Sequence, residues 1–287
     1  MPITLPLISV NGVLDAAISP LDRGFTYGDG LFETCRIHAG SIPLWDYHLT
    51  RLADSAARLK IPLDIEQLQQ YCKQLCDAAQ LQSMATGVFK IIISRGIGGR
   101  GYRLPDTVSP TYCIGVFPAP PLKNDFYING VDVCVCEQRL SHNPSLAGIK
   151  HLNRLEHILA RSEWQDEFAE GLLLDANNHV IEATVSNLFI VKNKQLFTPD
   201  LSSAGVAGIM RRLVLEQLAP SLNVETVVED MSLELVRTAD EIFLTNSVFG
   251  IWPVRSLAGV DYVEYSLTRQ LQLALETYLS AQAAVAE

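Results

Sequence analysis

The stretch Pro118-Ala-Pro-Pro121 constrains the fold more than any other part of the chain. Three prolines in four residues hold the backbone extended and remove the amide donors that a sheet or a helix interior needs. No regular element runs through such a stretch, so it reads as a stiff linker and a domain boundary. It divides a chain of 287 residues into two parts, each long enough to bury a core. The expected architecture is α/β in two domains. A smaller N-terminal α/β domain covers residues 1–119, a linker 120–125, and a larger C-terminal domain with a strand-rich core 126–287.

The patterning on both sides agrees. Before the linker, residues 7–10, 30–37, 88–93 and 111–117 read as strands, with Asn11-Gly12 as a hairpin turn. Leu44, Leu49, Leu52, Ala56 and Leu59 form a helical stripe, and 65–81 reads as a second helix. After the linker, 131–137 reads as a strand, and short strands follow at 171–175, 180–183, 187–191 and 195–198, with Asn177-Asn178 as a turn. A helix is expected over 208–217, strands over 224–228 and 240–245, and a closing amphipathic helix over 265–279. Strands that cluster, instead of alternating with helices, point to mixed or antiparallel sheets.

Composition narrows the partners. A net charge of -10 argues against a nucleic-acid or anionic-membrane partner, both of which need a basic face. It leaves room for an anionic small-molecule substrate gripped by a few arginines. No apolar run reaches the ~20 residues of a membrane span. The N-terminal Met-Pro-Ile-Thr-Leu-Pro lacks the basic and apolar regions of a secretory signal. Six scattered cysteines without a Cys-x-x-Cys pair suggest neither a disulfide framework nor a metal site, and Cys134 and Cys136 read as packing residues on one strand face. The expected compartment is the reducing cytoplasm.

Five segments carry candidate chemistry. Ser145-Leu-Ala-Gly-Ile-Lys-His-Leu-Asn-Arg-Leu-Glu156 places Lys150 between a small-residue turn and a helix whose apolar spacing starts at Leu152. A lysine turned inward there supplies the free amine of Schiff-base chemistry, whereas one turned outward is only a surface residue opening a helix. Glu182 ends a strand in an apolar setting, where a buried carboxylate requires a partner and an edge-strand carboxylate does not. Ala204-Gly-Val-Ala-Gly208 enters a helix whose first amides, Ile209 and Met210, suit a phosphate. Arg51, on the 44–59 helix, and Ser247, at a strand end, suit phosphate as well. Gly96-Ile-Gly-Gly-Arg-Gly101 follows a strand, but Pro105 follows soon after, so it reads as a loop carrying Arg95, Arg100 and Tyr102 rather than a dinucleotide fingerprint. Its arginine forks suit carboxylates, or else they are simply solvated.

In that order along the chain, Arg51, Lys150, Glu182, Gly208 and Ser247 resemble the fold-type IV pyridoxal-phosphate enzymes, the class IV aminotransferase family. That family includes branched-chain and D-amino acid aminotransferases and aminodeoxychorismate lyases. Asp22-Arg-Gly-Phe-Thr-Tyr-Gly-Asp-Gly-Leu-Phe-Glu33 is typical of it, and the resemblance runs from Asn11-Gly12 to about Pro253-Val254. Ala147–Glu156, Ser94–Tyr102 and Gly205–Arg211 are most similar to the lyases, while Phe32-Glu33 resembles the aminotransferases. The resemblance implies a D-amino acid aminotransferase-like fold, pyridoxal 5'-phosphate as cofactor and a homodimer. It further implies Lys150 as Schiff-base lysine, Glu182 as partner of the pyridine nitrogen, and Arg51, Ile209, Met210 and Ser247 around the phosphate. Arg100, Tyr102, Arg95 and Thr34 are the implied substrate-binding set. The implied reaction is elimination of pyruvate from 4-amino-4-deoxychorismate to give 4-aminobenzoate, with amino-acid transamination as the alternative.

Overall fold

The computed structural model describes residues 5–121 and 124–285. Residues 1–4, 122–123 and 286–287, which include part of the expected linker and of the N-terminal Met-Pro-Ile-Thr-Leu-Pro, lie outside the described residues. The chain packs as two compact units. One is Met1–Pro121 with Ile149–Asn153, and the other is Leu122–Gly148 with Arg154–Glu287.

In the first unit the order is β1 (Leu7–Val10), β2 (Val13–Leu14), α1 (Arg23–Tyr27), β3 (Gly30–His38), α2 (Trp45–Leu59), α3 (Ile65–Ala78), β4 (Thr86–Ser94) and β5 (Thr111–Phe117). The strands form one antiparallel sheet in the order β2-β1-β5-β4-β3. Strand alternation sorts the side chains. Cys35 and Ile37 of β3, Phe89, Ile91 and Ile93 of β4, and Ile114 and Val116 of β5 are buried in one core with Leu52 of α2 and Leu68 and Leu75 of α3. Helix α3 is capped by Asp64, whose side chain accepts the Gln67 amide, and it ends at Ala78, before the expected 81.

The second unit holds α4 (Asn124–Asn129), β6 (Val131–Leu140), α5 (Leu155–Arg161), β7 (Glu170–Asp175), β8 (His179–Ala183), β9 (Asn187–Lys192), β10 (Gln195–Pro199) and α6 (Ile209–Leu213). It continues with α7 (Ala219–Ser221), β11 (Thr226–Glu229), β12 (Met231–Ser232), α8 (Leu233–Arg237), β13 (Glu241–Asn246), β14 (Gly250–Leu257), β15 (Val260–Asp261) and α9 (Ser266–Val285). Its mixed sheet runs β11-β10-β9-β13-β14-β6-β7-β8-β12, with β15 on β14. The expected helix over 208–217 is α6 followed by a π-helical turn, Val214–Leu218, then α7. Helix α9 is anchored by Glu241, a buried carboxylate that accepts the Leu267 and Thr268 amides and the Thr268 hydroxyl.

The segment around Lys150 departs from its sequence reading. No helix begins at Leu152. Instead the Lys150 carbonyl accepts the Phe32 amide at 3.0 Å, and the Leu152 amide donates to the Gly30 carbonyl at 3.0 Å. Asn153 donates its side-chain amide to the Gly28 carbonyl. These bonds hold residues 150–152 extended along the outer edge of β3, so backbone pairing takes the first expected helical turn. It also assigns Ile149–Asn153 to the first unit, although this segment falls within the expected 126–287 domain. Helix α5 then starts at Leu155 and buries Ala160, while its large apolar residues face outward: Leu155, Ile158 and Leu159 are 72%, 61% and 56% exposed.

Candidate active site

Within the first unit, Lys150 is half-buried, and its Nζ lies 4.3 Å from the centre of the Phe32 ring. A second lysine, not anticipated from sequence, approaches the same ring: Lys90 Nζ is 5.8 Å from its centre. Lys90 pairs with Thr34 across β3 and β4, so Phe32, Thr34 and Lys90 share the sheet face opposite the core. The signal was present in Val88-Phe-Lys-Ile-Ile-Ile93, where a lone charge interrupts an apolar strand.

The opposite face of β3 carries Glu33, which is buried. Arg51 donates Nε to Oε1 at 2.7 Å and an Nη to Oε2 at 2.5 Å, and His48 Nδ1 lies 2.7 Å from Oε2. Burial would raise the Glu33 pKa, but the Arg51 charge and the bonds from His48 and Arg51 outweigh it and hold Glu33 down at about 2. Arg51, expected to reach for a phosphate, therefore has part of its fork committed to Glu33. Glu33, which resembled an aminotransferase feature, is occupied with bracing α2 against β3.

The Gly96 loop contains no helix. Arg95 is buried and departs from the expected carboxylate grip. Its Nε and one Nη fork onto Asp29 at 2.7 and 2.9 Å, and the remaining bonds go to the carbonyls of Lys60 and Leu59. Arg100 and Tyr102 are exposed on the loop. Between them Gly101 is pinned on both sides: its amide donates to the Tyr27 hydroxyl at 3.2 Å, and its carbonyl accepts from Arg23 at 3.1 Å. Gly101 has φ +75°, a conformation that favours glycine.

Within the second unit, Glu182 is the penultimate residue of β8 and is only 3% exposed, so the reading as a solvated edge residue falls. Its Oε2 accepts the Val206 amide at 2.9 Å, and Oε1 lies 2.9 Å from His157 Nε2. Burial lowers the pKa of both Arg154 and Arg211, with the Glu182 charge acting against that shift. The loop over 204–208 is fixed from several sides. The Gly148 amide donates to the Gly205 carbonyl, the Ala207 amide donates to the Gly148 carbonyl, and Asn187 donates to the Val206 carbonyl. A Cβ on Gly205 would fall 2.8 Å from Ile181 and 3.4 Å from the Glu182 carboxyl carbon, and one on Gly208 would fall 1.9 Å from the Asn187 carbonyl oxygen. Helix α6 opens immediately after this loop, with Ile209 and Met210 as its first residues. Ser247 follows the end of β13, where Thr245 Oγ1 is buried without a hydrogen-bond partner among the described residues.

Glu170 lies under the turn between β8 and β9. It accepts from the Thr184 hydroxyl at 2.5 Å, and from the Val185 amide and the Ser186 hydroxyl at 3.3 Å. Burial pushes its pKa up from 4.5 to about 7, although those donors act the other way. A carboxyl with a raised folded-state pKa adds stability below its unfolded value, and that stability is lost as pH climbs through the folded one. A shift of this size is worth about 3 kcal/mol. Thermal melts should therefore show wild-type stability falling from about pH 4.5 to 7 relative to Glu170→Gln. Parallel curves for the two proteins would remove Glu170 as the cause.

The family model for amino-transferase class IV matches residues 30–257, which include β3, Lys150, Glu182 and β13. The chain belongs to the class IV aminotransferase family. An aminodeoxychorismate lyase of Vibrio harveyi is 39% identical over 274 residues, covering 93% of this chain and 99% of that protein. A branched-chain-amino-acid aminotransferase of Escherichia coli is 30% identical over 260 residues, covering 87% of this chain and 83% of that protein. The crystal structure of 4-amino-4-deoxychorismate lyase from Pseudomonas aeruginosa is 44% identical with a TM-score of 0.89, covering 94% of this chain and 98% of the other. The two-sheet α/β fold of this chain is thus the family's fold.

Proposed function

We propose that this chain is a pyridoxal-phosphate-dependent lyase that converts 4-amino-4-deoxychorismate to 4-aminobenzoate and pyruvate, a step of folate biosynthesis. The observation that carries the reading is its likeness, over nearly the whole length, to the Vibrio harveyi and Pseudomonas aeruginosa lyases.

The residues present fit the cofactor. Glu182 is a buried carboxylate suited to a protonated ring nitrogen, and Gly205 and Gly208 keep the adjoining loop free of side chains. The Ile209 and Met210 amides, Ser247 and the braced Arg51 suit a phosphate. When bound, pyridoxal phosphate supplies an electron-poor ring that takes up the charge left when a proton leaves the substrate carbon bearing the amine. Lys150 would hold the cofactor through Nζ, and its amine, when free, would take the proton from that carbon. General base catalysis of this kind contributes about 10²–10⁴-fold. Arg100, Tyr102 and Lys90 grip the substrate carboxylates, with Thr34 beside Lys90 on the same sheet face. Arg95 leaves the substrate-binding set, because Asp29 and two carbonyls occupy it.

Expulsion of the enolpyruvyl group as pyruvate leaves an aromatic ring, so no keto-acid acceptor is needed. The reading includes a cytoplasmic homodimer. Leu155, Ile158 and Leu159 leave an apolar helix face that a second copy would cover. No described helix is long and apolar enough to cross a membrane. Incubating the purified holoenzyme with 4-amino-4-deoxychorismate and no keto acid should release pyruvate and 4-aminobenzoate in equal amounts. Turnover of branched-chain or D-amino acids with an added keto acid, and no pyruvate release, would move the assignment to the aminotransferases.

A further inference from the structure

Glu182 is oriented by two different elements of the second unit. Val206, in the loop before α6, donates its amide to Oε2 at 2.9 Å, while His157 of α5 places Nε2 2.9 Å from Oε1. With the imidazole Nε2–H donating, each carboxylate oxygen has one donor and keeps a second acceptor direction. The Val206 side of this arrangement is rigid, because Gly148 and Asn187 already pin the loop. The plane of the carboxylate therefore turns on His157. The His157 side chain is 13% exposed, and its Nδ1 is buried without a hydrogen-bond partner among the described residues. Among the described residues the contact to Glu182 is the one hydrogen bond of its ring, so the buried Nδ1 is a cost that this contact offsets. Arg154 and Arg211 add positive charge nearby.

We infer that His157 is a positioning residue, which sets the Glu182 carboxylate so that its open acceptor direction meets the cofactor's ring nitrogen. The inference rests on the proposed role of Glu182 toward pyridoxal phosphate. His157→Leu removes the donor, and His157→Asn keeps the site polar but is too short to reach Oε1. His157→Gln restores an N–H at similar reach. The dissociation constant of pyridoxal phosphate is measured by absorbance titration of each apo protein, alongside kcat, KM and the apo melting temperature.

The Leu and Asn variants should bind cofactor roughly tenfold more weakly, with kcat reduced and KM little changed, as expected for loss of one hydrogen bond to a charged group. Gln should recover most of both. Wild-type cofactor affinity in the Leu and Asn variants, or a Gln variant no better than Leu, overturns the inference. Glu182→Gln separates the two layers. If it too binds cofactor and turns over like wild type, the role of Glu182 itself fails. If only Glu182→Gln is impaired, His157 alone loses its role.

Discussion

Replacing Lys150 with alanine should lower pyruvate release from 4-amino-4-deoxychorismate by at least about 10³-fold. The substitution removes the amine while sparing what holds the segment in place. The carbonyl of residue 150 still accepts the Phe32 amide, and Leu152 still donates to Gly30. What disappears is the Nζ that lies 4.3 Å from the Phe32 ring. Lost turnover is therefore a chemical effect, and circular dichroism and thermal melts should overlay those of the wild type when both proteins are compared without cofactor. The visible absorbance of bound cofactor should vanish with the amine, because a primary amine is what ties the cofactor's aldehyde to protein. A Lys150→Ala protein that keeps wild-type turnover would falsify the assignment of Lys150.

Glu33→Ala should have the largest effect on stability, about 3–5 kcal/mol, because it breaks a buried ion pair by removing the carboxylate that Arg51 and His48 share. Arg51 loses the two bonds that it makes to Glu33, and His48, fully buried, loses its Nδ1 contact when its Nε2 already has no hydrogen-bond partner among the described residues. The effect has a pH signature. The Glu33 pKa is depressed from 4.5 to about 2, so its contribution is present above about pH 4.5 and is lost as pH falls through 2. Denaturant titrations at pH 7 and near pH 2.5 should show the gap between wild type and Glu33→Ala narrowing in acid. A constant gap would mean that the loss arises from packing and not from the carboxylate. Because α2 carries both Arg51 and His48, Glu33→Gln should fall between the two proteins.

Much of the first unit was legible because its strands alternate. Residues 111–117 and 7–10 form strands at the expected bounds, and β3 and β4 extend the expected ones by one to three residues in all. Helices fared less well where tertiary bonds compete with periodicity. The spacing of Leu152, Leu155, Ile158 and Leu159 is helical, but the helix starts only at Leu155, so periodicity located the element and misplaced its first turn. The candidate site divides in the same way. Glu182 needed only an apolar strand to be suspected. His157 gave no signal, because nothing in the spacing of α5 tells which histidine meets a carboxylate 25 residues later. Arg95 misled for the converse reason. An arginine in a glycine-rich loop looks available until Asp29, from another turn, is seen to occupy it.

The five-residue return of Ile149–Asn153 to β3 bears on how the protein can be cut. β3 is the last strand of its sheet, and this returning stretch donates to and accepts from its outer edge. A fragment ending at Pro121 would leave that edge bare, a template for pairing with other chains. Expressed alone it should aggregate or pair edge to edge, and a synthetic peptide spanning residues 148–154 added in trans should restore it to a monomer. On the ribosome, likewise, the first sheet stays unfinished until about thirty residues beyond the proline stretch have emerged.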